Sequence, residues 1–104
     1  MREDIPIGLQ MAQAVHAAFE FYRDHRELTD EWLKLSNYVV IIGVPDENAV
    51  LDLIKRAAEL GIPRTGVREP DLDQQVTAVA LGPTAMAQRI CANIHLAGRQ
   101  LVPG

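Results

Sequence analysis

The sequence predicts an α/β fold, a three-layer α/β/α sandwich with a small mixed sheet, and three observations carry that prediction. Residues 38–44, Tyr-Val-Val-Ile-Ile-Gly-Val, form a β-branched apolar run without alternation, the pattern of an interior strand covered on both faces. A helical pattern over 47–60 follows it and leads to a short strand, so a crossover of the usual right-handed sense is expected after Val44. A further strand of small and β-branched residues, 76–81, stops at Gly82-Pro83, and another helix follows.

Taken in order, Pro6 and Gly8 mark the entry to a first helix over 8–26, which is rich in helix formers. Leu9, Ala12, Val15, Phe19 and Tyr22 recur on it at steps of three and four, the spacing of an apolar face. Asp24-His25-Arg26 is its polar exit. Thr29 is placed to cap a shorter helix over 29–35, with Asp30 and Glu31 in the first turn and Trp32, Leu33 and Leu35 on the buried side. Ser36-Asn37 breaks that pattern, and the 38–44 run, the centre of the sheet, comes next. Pro45-Asp46-Glu47 opens the helix over 47–60, where Val50, Leu53, Ile54, Ala57 and Ala58 share one face and Gly61 stands at the C-cap. Residues 64–68 read as a short strand, Glu69-Pro70-Asp71-Leu72-Asp73 as a turn, 76–81 as a strand and 84–94 as the last helix. One domain over 1–98 and a loose tail over 99–104 are expected.

Length and composition agree with one core and no staple. The chain has 104 residues, 48% of them hydrophobic, and Cys91 is its only cysteine, which leaves no internal disulfide and suits a reducing compartment such as the cytoplasm. No apolar run approaches the roughly 20 residues that span a bilayer. The opening Met1-Arg2-Glu3-Asp4 is unlike a signal peptide, so no membrane association is expected. A net charge of −4 opposes long-range steering toward a polyanion unless basic residues gather on one face. Lys55, Arg56, Arg64, Arg68, Arg89 and Arg99 are the candidates for such a face.

Gln10, Gln13, His16 or Ala17, and Glu20 follow helical steps and form a polar stripe beside or opposite the apolar face. Its chemical reading makes His16 a general base or water-orienting group, with Glu20 setting its tautomer or Glu69 reaching it across the fold. Its structural reading is a hydrogen-bonded or solvated helix face. Glu69 and Asp71 fit a carboxylate pair at a strand end, and Glu-Pro-Asp fits ordinary turn chemistry, which is the reading taken for Asp71. Thr77 is both a possible hydroxyl donor to a site and a good strand residue. His25 and His95 have no partner at metal-ligand spacing, so no metal and no organic cofactor is expected. Phe19, Phe21, Tyr22 and Trp32 read as core or interface, and Cys91 as a small buried hydrophobe.

Residues 2–18, with Gly8, Gln13 and His16 at their spacing, resemble the opening of the type II peptidyl-tRNA hydrolases, in which Arg-x-Asp is followed by a Gly-Lys-x-Ala-Ala-Gln-x-x-His-Ala helix. Val67-Arg68-Glu69 resembles the family's Val-Arg-Asp, and residues 77–83, Thr-Ala-Val-Ala-Leu-Gly-Pro, resemble its closing Thr-x-x-Ala-Ile-Gly-Pro strand. The stretch 22–47, from Tyr-Arg-Asp-His through Val-Pro-Asp-Glu, looks closer still to the divergent branch of peptidyl-tRNA hydrolase domain-containing proteins. The resemblance implies the same α/β sandwich, cleavage of the ester between a peptide and tRNA, peptidyl-tRNA as partner, and Gln13, His16, Glu69 and Thr77 as catalytic residues. Leu9 stands where the family has lysine, Glu69 where it has aspartate, and the loop between Arg68 and Thr77 is shorter than the family's. A catalytically silent interaction module on the same fold is therefore the alternative, and a hydrolase of another small ester or amide a third reading. In the family Arg-x-Asp closes a first strand; here the motif starts at residue 2, so either a strand missing upstream or pairing supplied by another copy is expected. An edge over 39–44 left unpaired predicts a homodimer.

Overall fold

The computed structural model describes residues 1–36 and 38–97, in the order α1 (Ile7–Asp24), α2 (Arg26–Leu35), α3 (Glu47–Glu59), β1 (Arg64–Glu69), a 3-10 turn (Pro70–Leu72), β2 (Gln75–Leu81) and α4 (Ala85–Cys91). The expected tail, 99–104, lies outside the described residues. β1 and β2 pair antiparallel, from Arg64 opposite Leu81 to Glu69 opposite Gln75. Arg68 faces Val76 and Val67 faces Ala78, so Thr77 is the extra residue of a bulge. The bulge sends its two neighbours to opposite sides: Val76 packs with Val50 and Leu53 of α3, Ala78 with Ala17 of α1. With α1 on one face of the hairpin and α3 on the other, the α/β layering follows the sequence expectation.

Beyond β2 the sheet continues through single contacts. The Arg2 N–H donates to the Thr77 carbonyl at 3.1 Å, Glu3 N–H to Val44 at 2.7 Å, and Val44 N–H to Met1 at 2.8 Å, with Arg2 and Val44 bridged in parallel. On the other side of Val44 the pairing turns antiparallel, Gly43 N–H donating to His95 and Ala97 N–H to Ile41. Both senses occur in these isolated bridges, whereas the sheet proper is the two-stranded antiparallel pair β1–β2.

The expected central strand over 38–44 is a correction. These residues form no strand; exposure runs from 79% at Tyr38 to 47% at Ile41, and only Gly43 and Val44 at its end are buried, Val44 to 4%. A β-branched run becomes a strand only where neighbours take up its backbone groups, and here segments 1–3 and 95–97 meet only residues 41–44. Met1–Glu3 instead fills the place between β2 and Val44.

The first helix also turns a different face inward. Gln13, Ala17 and Phe21 are buried, whereas Val15, Phe19 and Tyr22 of the expected apolar face look out. A glutamine and a small alanine sit closest to the sheet because partners on β1 satisfy the glutamine, as described below. α2 starts at Arg26, three residues before the expected cap: Thr29 lies inside it and its hydroxyl bonds back to the His25 carbonyl at 2.9 Å. α3 matches its reading closely. Asp46 caps it by accepting from Ala49 N–H at 3.0 Å, and Gly61, at φ +69°, ends it while Gly61 N–H bonds to Ala58 and Ile62 N–H to Ala57. Thr84 caps α4, which stops at Cys91 rather than 94 so that residues 95–97 can turn back onto 41–43.

Candidate active site

Gln13 is wholly buried on the face of α1 that meets β1, and a buried primary amide must be satisfied at both ends. Its Nε2 donates to Glu69 Oε2 at 2.5 Å, and its Oε1 stands 2.9 Å from His16 Nδ1, one helical turn away. A carboxylate only accepts, so the amide NH2 must face Glu69 and the carbonyl must face His16. That carbonyl in turn requires the proton on His16 Nδ1, a tautomer assigned from the network. Neutral His16 then carries its free lone pair on Nε2, on an exposed side chain. The alternation of β1 supplies the third member, since Thr65, Val67 and Glu69 face α1.

Glu69 is held from behind. Its second oxygen accepts from Asp71 N–H at 3.1 Å and its carbonyl from Gln74 N–H at 3.0 Å. Asp73 and Gln74 close this turn in the left-handed region, at φ 53° and 62°. Asp71 therefore belongs to the turn, as read, but it contributes its backbone N–H and Glu69 is the side chain that caps. Glu20 does not set the histidine tautomer: its partner is Arg23 at 3.7 Å, and Gln13 takes the role. Thr77 is fully buried, and its hydroxyl donates to the Val67 carbonyl at 3.4 Å rather than to the other three candidates. Three of the four sequence candidates are thus joined in one hydrogen-bonded array, and Thr77 lies in the strand beneath them. That Gln13 links Glu69 to His16 is a feature periodicity does not assign; its signal in the sequence is the three-residue step to His16.

Leu9 packs against the cluster of Met1, Ile5, Ala17, Val67 and Ala78, so its position supplies apolar packing. Arg2 grips Asp4 with two bonds of 2.7 and 2.8 Å, and its third nitrogen reaches Gln75 Oε1 at 2.8 Å, tying the entry of α1 to the start of β2. The Arg2 guanidinium holds the Asp4 carboxyl below its ordinary range. Cys91 is half-buried and burial pushes its thiol up, in keeping with a packing role. Among the described residues, no three His, Cys, Asp or Glu side chains are grouped to hold a metal ion, and no helix is long and apolar enough to cross a membrane. Of the basic residues, Arg64 and Arg68 line one groove, Arg56 lines a different hollow beside Gly43 and Asp52, and Arg99 lies outside the described residues.

A histidine with a free basic nitrogen, backed by a carboxylate on a small α/β domain, is a hydrolase-like arrangement. The family model described as peptidyl-tRNA hydrolase PTH2 matches residues 1–95, and the chain belongs to that family. It is 33% identical to a peptidyl-tRNA hydrolase of Nanoarchaeum equitans over 77% of this chain and 76% of that one. A peptidyl-tRNA hydrolase of Methanocaldococcus jannaschii is 30% identical over 80% and 81% of the two chains, and one of Thermococcus sibiricus 28% over 86% and 82%.

Proposed function

We propose that this chain hydrolyses the ester between a peptide and tRNA, with His16 as general base, and that residues 1–98 form the catalytic domain. The observation that carries this reading is the His16–Gln13–Glu69 array, in which a fixed amide presents His16 with Nδ1 protonated and Nε2 free. Nε2 takes a proton from water as the water oxygen attacks the ester carbonyl. The bond from that carbon to the ribose oxygen then breaks, and the imidazolium returns its proton to the departing hydroxyl. The products are a free peptide acid and a tRNA, and the step balances with water alone as co-reactant.

Glu69 acts through Gln13, keeping its carbonyl on the imidazole and its own negative charge behind the cation that forms. Thr77 is assigned as a positioning residue: its hydroxyl pins β2 to the Val67 carbonyl, two residues before Glu69. Peptidyl-tRNA as substrate places the protein with translation, hence in the cytoplasm. Self-association into a homodimer is the further part of the proposal, supported by the exposed apolar residues of α1 and of 38–41. The deciding assay is turnover of an N-blocked aminoacyl-tRNA by the wild type and by His16→Ala. The variant is expected to lose about 10²- to 10⁴-fold in kcat, the usual contribution of a positioned base. Equal rates would remove His16 from the chemistry, and absence of turnover in the wild type would favour the silent interaction module.

A further inference from the structure

We propose that the groove on the α3 side of β1, between Arg64 and Arg68, binds the phosphate backbone of the tRNA, an inference that rests on the substrate read above. Residues 64, 66 and 68 alternate onto this face, away from the Gln13–Glu69 contact, and the middle one is glycine. A Cβ at Gly66 would stand 3.2 Å from Ile54 Cδ1, so the missing side chain is what leaves a trough between the two arginines. The groove measures about 450 Å³; Leu51 and Ile54 of α3 line it on one side, and His25 stands at its rim with Nε2 3.3 Å from the Arg64 carbonyl.

Charge decides what fits. The chain carries −4 overall, yet this lining holds two arginines and a histidine and no carboxylate. Of the other guanidinium groups, Arg2 is paired with Asp4 and Arg23 with Asp24 and Glu20, while Arg26, Arg56 and Arg89 have no acid within ion-pair distance among the described residues. Among the described residues neither Arg64 nor Arg68 has an acidic partner within ion-pair distance. Each is instead steadied by a carbonyl, Arg64 Nη1 on Ile62 at 3.3 Å and Arg68 Nη1 on Gln74 at 2.9 Å, which leaves most of its five donors open.

Spacing decides between a small phosphate and a chain of them. Four residues of strand separate the two arginines by roughly 13 Å along β1. Their tethers lie toward opposite ends of the strand, so they do not converge on one anion. Two cations held apart along a groove suit successive phosphates of a polynucleotide. β1 is bonded to β2 along one edge only, and Arg68 immediately precedes Glu69. RNA crossing that strand would have its ester on the His16 side and its backbone in the groove.

The test is binding of fluorescently labelled deacylated tRNA across a salt series, for the wild type, Arg64→Ala/Arg68→Ala, Arg64→Lys/Arg68→Lys and, on α2, Lys34→Ala. Deacylated tRNA has no ester, so the outcome is independent of whether the chain hydrolyses one. The alanine pair should bind at least about tenfold more weakly at low salt, with the slope of log Kd against log salt reduced by about two, one for each lost phosphate contact. The lysine pair should recover the slope, and Lys34→Ala should match the wild type. No binding by the wild type, unchanged affinity and slope in the alanine pair, or a lysine pair as weak as alanine would each overturn the groove assignment.

Discussion

Gln13 has an amide with two unlike ends, and its neighbours take different ones. Glu69 takes the donor and His16 the acceptor, so one buried side chain converts the position of a carboxylate into the tautomer of a histidine. Gln13→Leu keeps nearly the same volume and removes both bonds. Glu69 Oε2 then loses its donor, and the expected cost is about 1–3 kcal/mol in urea unfolding. The second expected effect is on the ring: nitrogen NMR of neutral His16 should show the Nδ1–H form in the wild type and lose that dominance in the variant. An unchanged tautomer would mean that Gln13 is packing only. Asp4 offers a test in pH. Its folded-state pKa is depressed, chiefly by the Arg2 hydrogen bond, so its stabilisation is complete above the ordinary carboxylate range near pH 4 and is lost as pH falls through the folded value. Asp4→Asn should therefore be less stable than the wild type at neutral pH, and the two unfolding curves should converge on acidification. A constant gap down to low pH would assign the effect to shape instead of charge.

At the scale of elements, what could be read from sequence was whatever is decided locally. α3 is the clearest case: an opening at Pro45-Asp46-Glu47, the apolar positions Val50, Leu53 and Ala57, and the stop at Gly61 lie within one stretch, and the structure uses each as read, with Asp46 as the cap. Gly61 also isolates one physical effect, because a Cβ there would touch nothing within 4 Å while φ is +69°. Gly61→Ala should cost about 1 kcal/mol from backbone conformation alone, measured by thermal or urea unfolding. A neutral result would mean the helix end relaxes into another cap. What could not be read depends on neighbours distant in sequence. Residues 38–44 have strand composition, yet strand pairing reaches only their last four residues, since pairing belongs to the partner as much as to the run. α1 was misread in its facing for a related reason. Periodicity assigns Val15 and Phe19 to the interior, but a buried Gln13 becomes favourable only once Glu69 arrives from β1, 56 residues later. The candidate site is legible as Gln13 and His16 because they share a helix turn, and as Glu69 because a carboxylate ends the strand over 64–68, but the contact between them joins residues 56 positions apart and needs the fold.

For the whole molecule, the outward face of α1 is the feature its own fold leaves unexplained. Ile7, Met11, Val15 and Phe19 are 60, 65, 52 and 72% exposed and lie at successive steps of four, with Tyr22 beside them. Side chains four apart form a ridge, and two such ridges interlocking at about −50° is the commonest way helices pack in globular proteins. A second copy of this chain presents the same ridge, so a two-fold contact is self-complementary without any further adaptation. Twelve residues of helix make that ridge roughly 18 Å long, enough for several interlocking side chains. The apolar residues 38–41 add exposed surface that association would relieve. Val15→Glu/Phe19→Glu alters only exposed positions, so it should leave the monomer fold intact by circular dichroism. Sedimentation over a concentration series should show the wild type shifting from monomer to dimer, with a melting temperature that rises with concentration, and the double variant remaining monomeric at all concentrations. A wild type that stays monomeric throughout would remove the homodimer, and a variant that still dimerises would move the contact off α1 and onto the 38–41 segment.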